Sequence, residues 1–367
     1  MTTLDAMELL YGSTEDYEAS RQRSELDEKY AEGTELARVF IEQMNAYYAD
    51  PRSSFYDEKI ERKFLEQKLA HLGFTPYPKD GLVTFGASGT NKCDREIVFK
   101  NAKVKTEKTP DLPHRARQRR VGTAVIDYVQ LDIAHVPKRM GNDAVFKFGL
   151  TKDGWCAMEG AVQVRQVIEH KGVKFAITVK PDGIFNYRDD ADRRFLFEYK
   201  TKASGVVEMN GKLDYSGAQD DHLRQVTAEA IVYGINEGFI VYESMAKPAW
   251  FSDEDKKNVP KTRKTWREGI PVPDLRAMYF YITEEMKTAL LDDLARQAQL
   301  VYDGEIPAMT VDMTSKCGFC AFREHCRSSL TGDEIAELIS VEQAMANSHM
   351  AGKRDHSDLR NYLADVK

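Results

Sequence analysis

Apolar side chains recur at helical spacing across residues 14–49, where Tyr17, Leu26, Tyr30, Leu36, Val39, Phe40, Met44 and Tyr47 stand among charged positions until Asp50-Pro51 closes the run. The pattern predicts a helix, with a break expected near Gly33. A second stripe, Ile60, Phe64, Leu65 and Leu69, predicts a helix over 57–71 that ends at Gly73. Residues 1–80 thus read as a helical N-terminal extension. From 81 to 108 the chain turns to Gly, Ser, Thr and Lys around Cys93, and Arg115, Arg117, Arg119 and Arg120 then lead into a helical segment over 122–133. Between 145 and 282 strand patterns dominate, at 162–168, 175–179, 184–187, 195–201, 239–242 and 277–282, with one amphipathic helix over about 221–236. This order predicts an α/β fold, a central mixed sheet flanked by helices. A lysine-rich stretch, 252–269, reads as an exposed loop, 284–302 as a last long helix before a group of cysteines, and 331–367 as a helical C-terminal tail.

Composition narrows the class. A chain of 367 residues with 42% hydrophobic and 30% charged residues has the balance of a globular protein, which excludes disorder and collagen-like repeats. No run approaches the ~20 apolar residues of a membrane helix, and Met1-Thr2-Thr3-Leu4-Asp5 opens without a basic or apolar leader. The expected location is the cytoplasm, with no membrane partner. A net charge of −7 gives no global attraction for a polyanion, so contact with nucleic acid requires a local patch, and the four arginines at 115–120 are the sharpest one.

The chemistry concentrates at Pro181-Asp182-Gly183 and Glu198-Tyr199-Lys200. On a strand the side-chain period is two, so Glu198 and Lys200 share one face, while Phe195, Phe197 and Tyr199 take the other. A hairpin joining the strand before Pro181 to the strand at 195–201 would set the Asp182 carboxylate beside Glu198. Two adjacent carboxylates repel unless a cation lies between them, and hard oxygen ligands suit Mg²⁺ or Mn²⁺. Glu-x-Lys by itself says little, since it recurs at Glu61/Lys63, Glu66/Lys68, Glu169/Lys171 and Glu285/Lys287, where a surface ion pair is the ordinary explanation. The apolar strand around Glu198 and the upstream Pro-Asp-Gly set this copy apart.

These residues resemble the signature of the PD-(D/E)xK nuclease superfamily. A second constellation narrows the likeness: Cys317-Gly-Phe-Cys320, then Cys326, with Cys93 far upstream, resembles the iron–sulfur branch of RecB-type nucleases, which includes the AddB nuclease domain and the CRISPR-associated iron–sulfur exonucleases. The likeness spans about 85–330, and it implies a nuclease core over 81–330 in which Cys93, Cys317, Cys320 and Cys326 hold a [4Fe-4S] cluster. Four thiolates also suit a tetrahedral zinc, and spacing alone does not choose between them. Cys156 reads as an ordinary core thiol.

The resemblance implies a metal-dependent exonuclease acting on single-stranded DNA ends in recombination, repair or viral DNA processing in a bacterial cytosol. Asp182 and Glu198 would hold Mg²⁺ or Mn²⁺ with help from the Tyr199 carbonyl, and Lys200 would position the attacking water. Gln225 would be auxiliary, with Arg115, Arg117, Arg119, Arg120, Lys202 and the lysines of 256–267 as phosphate contacts. A structure-specific endonuclease and a non-cutting, cluster-stabilised DNA-binding module are the alternatives. No Gly-x4-Gly-Lys-Ser/Thr loop occurs, so any helicase or recombination partner is a separate chain. Two positions depart from the family: Gly122 is followed by Ile126 where a metal-binding His is usual, and Gln225 by Glu229 where a Tyr is usual. Asp127, His135 and Glu159 are the candidate substitutes for the missing His.

Overall fold

Helical spacing over the first segment produces one unbroken helix, Thr14–Ala49, in the computed structural model, which describes residues 14–54, 57–73, 78–107, 113–248, 252–262, 264–267, 270–309, 317, 320–347 and 353–364. In chain order the described helices are α1 (Thr14–Ala49), α2 (Glu58–Ala70), α3 (Asp94–Asn101), α4 (Pro113–Met140), α5 (Val206–Ser216), α6 (Asp220–Tyr233), α7 (Asp253–Asn258), α8 (Glu284–Asp303), α9 (Arg323–Ser328), α10 (Gly332–Asn347) and α11 (Lys353–Ala364). The strands are β1 (Thr84–Gly86), β2 (Phe146–Phe148), β3 (Val164–His170), β4 (Val173–Val179), β5 (Gly183–Tyr187), β6 (Asp190–Lys202), β7 (Glu237–Ser244), β8 (Trp266–Arg267), β9 (Ile270–Pro271) and β10 (Leu275–Tyr281). The protein is a mixed α/β structure in two units. Gly33 does not break α1: a Cβ there would come within 2.2 Å of the Tyr279 ring, so the glycine admits a close aromatic neighbour.

The first unit takes in Met1–Pro76, Arg117–Val164 and Val179–Lys287. Its sheet runs β10-β7-β6-β5-β2, with β6 and β7 parallel and the remaining pairs antiparallel. A parallel pair needs a crossover, and α5 and α6 supply it between β6 and β7. Alternation along β6 then sorts its side chains. Phe195, Phe197 and Tyr199 enter the core with α1, where Phe40 lies 5.7 Å from both the Phe185 and Phe239 rings. Leu196 joins Ile184, Ile240 and Tyr242 in packing against Met209 and Leu213 of α5 and Val226 and Ala230 of α6. Glu198 and Lys200 therefore face the crossover helices.

The second unit takes in Tyr77–Ala116, Arg165–Thr178 and Thr288–Lys367. Its sheet runs β1-β4-β3, with Thr84 paired parallel to Ala176. Tyr302 of α8 braces it: its hydroxyl donates to the Lys174 carbonyl at 2.6 Å and accepts the Val83 N–H at 3.1 Å. The strand before Pro181 thus lies in this smaller sheet, and β5, not β4, forms the hairpin with β6. Pro181 has no N–H for a ladder, so the apolar run is cut at 180–182 and restarts at Gly183.

Two elements differ from expectation. Helix α5 forms where Val206, Val207, Asn210 and Gly211 give little helical propensity, because burial of Met209 and Leu213 outweighs it. Asn210 Nδ2 donates to the Val206 and Pro273 carbonyls, at 2.8 and 2.7 Å. The stretch 252–269, expected as loop, contains α7 and β8, and β8 pairs with β9 just beyond it. Among the described residues no helix is long and apolar enough to cross a membrane.

Candidate active site

Asp182 stands at the entry of β5 and is fixed through its backbone and its side chain. Its Oδ2 accepts the Tyr199 N–H at 2.8 Å, and its carbonyl accepts Gln130 Nε2 from α4 at 2.9 Å. Gly183 beside it is required sterically, since a Cβ would lie 2.5 Å from the Phe148 ring. Glu198, 3% exposed, projects from β6 toward α6, and its Oε1 pairs with Lys200 Nζ. Lys200 Nζ also donates to Gln225 Oε1 at 3.0 Å, and Gln225 Nε2 donates to Glu229 Oε1 at 3.2 Å. The structure so brings Asp182, Glu198, Lys200 and Gln225 into one cluster and adds Glu229, which is fully buried.

The electrostatics follow from that burial. Desolvation raises the Asp182 carboxyl well above the usual range, and the Glu198 charge adds to it against the Tyr199 N–H and Lys200. Burial likewise raises Glu198, with Lys200 and Gln225 opposing. Glu229 is raised well above normal by burial and then by Glu198. Burial works against the Lys200 charge, but the Glu198, Asp182 and Glu229 carboxylates outweigh it and raise the ammonium's pKa. Glu198 Oε2 and Glu229 Oε2 are buried without a hydrogen-bond partner. A site that holds several acids against their charge and leaves two oxygens unbonded has the chemistry of a cation site.

Among the candidates for the missing His, Asp127 pairs with Lys68, and His135 Nδ1 contacts the Leu131 carbonyl at 2.8 Å. Glu159 is the one whose charge acts on Asp182; its N–H donates to the Pro181 carbonyl at 3.1 Å. Ile126 packs against the apolar core. Gln130, one turn further along α4, does what sequence reasoning missed: it grips the Asp182 backbone. Its only sequence signal is the four-residue spacing from Ile126. The Tyr199 side chain points away from the cluster, its hydroxyl donating to Glu243 Oε2 at 2.6 Å.

Arg115, Arg117, Arg119 and Arg120 are exposed on the first turns of α4, and of these the last three belong to the first unit. Lys202, at the end of β6, donates to Gln219 Oε1 at 2.6 Å and lies 5.1 Å above the Tyr242 ring. Tyr242 Oη accepts the Gln219 N–H at 3.1 Å and lies 2.8 Å from His222 Nδ1. Burial, then Lys200 and Lys202, lower His222 to about 4, so it is neutral at pH 7.

In the second unit Cys93, Cys317, Cys320 and Cys326 line one cavity of about 220 Å³. Cys93 caps α3, its sulfur accepting the Glu96 N–H at 3.4 Å. Cys326 Sγ is approached by Arg95 Nη1 at 3.5 Å and the Tyr362 hydroxyl at 3.6 Å. Burial pushes Cys93 up to about 11 against the Glu96 N–H, and burial, then the neighbouring cysteines, push Cys317 up to about 12. Cys156 is elsewhere, in the first unit, with its N–H on Gln67 Oε1. Among the described residues no three His, Cys, Asp or Glu side chains gather tightly enough to hold a single metal ion.

No protein-family model matches the chain, and no curated protein sequence matches it. Solved structures with some likeness include that of SSO0001, at 15% identity and a TM-score of 0.36 over 76% of this chain and 100% of that one. The alkaline exonuclease LHK-Exo from Laribacter hongkongensis aligns at 12% identity and a TM-score of 0.33, over 66% of this chain and 95% of its own. A phage-related exonuclease from Haemophilus somnus 129PT gives 12% identity and 0.26, over 60% and 94%. At such TM-scores a likeness establishes neither fold nor activity, and the geometry of the site has to carry the functional conclusion.

Proposed function

We propose that the chain is a metal-dependent DNA nuclease with a PD-(D/E)xK active site, an exonuclease that hydrolyses phosphodiester bonds at single-stranded ends. The observation that carries this is the convergence of Asp182, Glu198 and Lys200 on one face of the sheet, with a buried Glu198 oxygen lacking any partner. Asp182 and Glu198 would hold Mg²⁺ or Mn²⁺, with the Tyr199 carbonyl, water and substrate phosphate completing the ligand set; Mg²⁺ characteristically takes one or two carboxylates and keeps waters, which agrees with a site of so few protein ligands. When bound, the ion lowers the pKa of a coordinated water and offsets charge on the phosphate.

The protein's own groups do the rest. Lys200 keeps its proton, is anchored on Glu198 and Gln225, and has 22% of its side chain exposed, so its ammonium can meet both the attacking water and a non-bridging phosphate oxygen. Lys202 lies close by as a donor for flanking phosphate, and Arg117, Arg119 and Arg120 of the same unit would serve backbone further along. The preference for single-stranded ends rests on the resemblance of the motifs.

The four cysteines fit an iron–sulfur cluster. All four line one cavity, and the preference for a cluster over a tetrahedral zinc rests on the resemblance of the cysteine spacing. Binding as thiolates would also remove the proton that burial favours on Cys93, Cys317 and Cys320. Replacing Glu198 by Ala should abolish Mn²⁺-dependent cleavage with the fold intact by circular dichroism; full retained activity would remove the assignment.

A further inference from the structure

Glu229 stands where the family resemblance expects a tyrosine, yet the structure places it inside the catalytic cluster. It lies one helical turn beyond Gln225 on α6, so both side chains project toward β6. The two are joined by the 3.2 Å bond from Gln225 Nε2 to Glu229 Oε1, and Gln225 Oε1 in turn accepts Lys200 Nζ at 3.0 Å. Lys200 carries only donors, so its neighbour must offer an oxygen. A glutamine amide has an oxygen and a nitrogen of nearly the same shape, and turned over it would press N–H against the ammonium.

We propose that Glu229 is a positioning residue: by accepting the Gln225 amide hydrogen it fixes which end of that amide meets Lys200, and so holds the lysine head toward the reacting phosphate. The carboxyl oxygen accepts that hydrogen in either protonation state, so the arrangement does not depend on the charge of Glu229. Its complete burial and the absence of any partner on Oε2 leave the link to Gln225 as its bond in the site. The role explains why an acid occupies the core of α6, where an apolar residue would pack at least as well.

This inference rests on the nuclease function proposed above, and the test separates the two. Steady-state cleavage of end-labelled single-stranded DNA with Mn²⁺ is compared for wild type, Glu229→Met, Glu229→Gln, Gln225→Ala and the Gln225→Ala/Glu229→Met double variant, with thermal unfolding of each. Glu229→Met should lower kcat by about 100-fold with KM little changed, the size of effect expected when a reacting group is misplaced by roughly 1 Å. Glu229→Gln, which keeps an acceptor, should stay within about fivefold of wild type, and the double variant should be no slower than its slower parent. Should Glu229→Met not fold, the exchanged pair Gln225→Glu/Glu229→Gln replaces it, because the carboxylate then carried at position 225 meets Lys200 and the amide carried at position 229 supplies the hydrogen. The exchanged pair should recover at least tenfold over Gln225→Glu alone. Wild-type kcat in Glu229→Met, multiplicative losses in the double variant, or no recovery on exchange would each overturn the positioning role while leaving the nuclease intact. Absence of cleavage by wild type would overturn the nuclease function, and this role with it.

Discussion

Asp182→Asn isolates the cost of assembling the acidic cluster. The amide keeps an oxygen for the Tyr199 N–H and removes one of the charges that burial and Glu198 oppose. In the unfolded chain the aspartate titrates near 3.8, and in the folded, metal-free protein it holds its proton to higher pH. A folded pKa above the unfolded one means that the stabilisation is complete below 3.8 and is lost as pH rises through the folded value. The metal-free wild type should therefore lose up to about 1.4 kcal/mol per pH unit and per proton over that window. Asp182→Asn escapes the loss, so the variant should become the more stable protein as pH rises above 3.8, with the coupled acids sharing the titration. Each kcal/mol of that gap reads as roughly 2–4 °C in Tm. Mn²⁺ at 100 times its Kd should restore about 2.7 kcal/mol to wild type and far less to the variant. Thermal unfolding across pH 5–8, in chelator and in Mn²⁺, reads both effects. A variant that melts below wild type at pH 8 in chelator, or gains as much as wild type from Mn²⁺, refutes a cation site built on Asp182.

Other consequences are open to direct measurement. Charge reversal at Arg117, Arg119 and Arg120 together should weaken single-stranded DNA binding and flatten the slope of log K against log salt by about 2, at ~0.7 per contact; an unchanged slope removes this face from the DNA path. Phe40→Ala deletes a ring packed between Phe185 and Phe239 and should cost about 3–5 kcal/mol in urea unfolding; a loss under 1 kcal/mol would mean that α1 is peripheral to the core. Cys320→Ser should yield protein with far less iron and no visible absorbance after anaerobic purification, whereas stoichiometric zinc in wild type would replace the cluster assignment.

Strand period and the Pro-Asp-Gly interruption made the acidic cluster legible: alternation along 195–201 set Glu198 and Lys200 on one face, where the two side chains pair. What failed was pairing. A linear pattern does not say which strand lies beside which, so the smaller sheet of β1, β3 and β4 and the β5–β6 hairpin could not be separated in advance. Helix α5 was hidden because its propensity is poor and its stabilisation is tertiary. Gln130 was hidden for a related reason: it acts on Asp182, distant in sequence, and hydrogen-bond partnership across elements leaves no local period. Glu229 stood out in the sequence only as a departure from the family's tyrosine, although its four-residue spacing from Gln225 already put the two on one face of a helix. The cysteines were the easier case, since thiols grouped within ten residues with one remote companion have few physical uses, and all of Cys93, Cys317, Cys320 and Cys326 border one cavity.

Degradation of end-labelled single-stranded DNA in Mn²⁺ by anaerobically prepared wild type and Lys200→Ala tests the central claim most directly. The account predicts a product ladder with wild type, whose direction gives the polarity, and a loss of at least 100-fold in the variant, with DNA binding in Ca²⁺ retained by both. DNA bound but left uncut by wild type, or cut equally by Lys200→Ala, would contradict it.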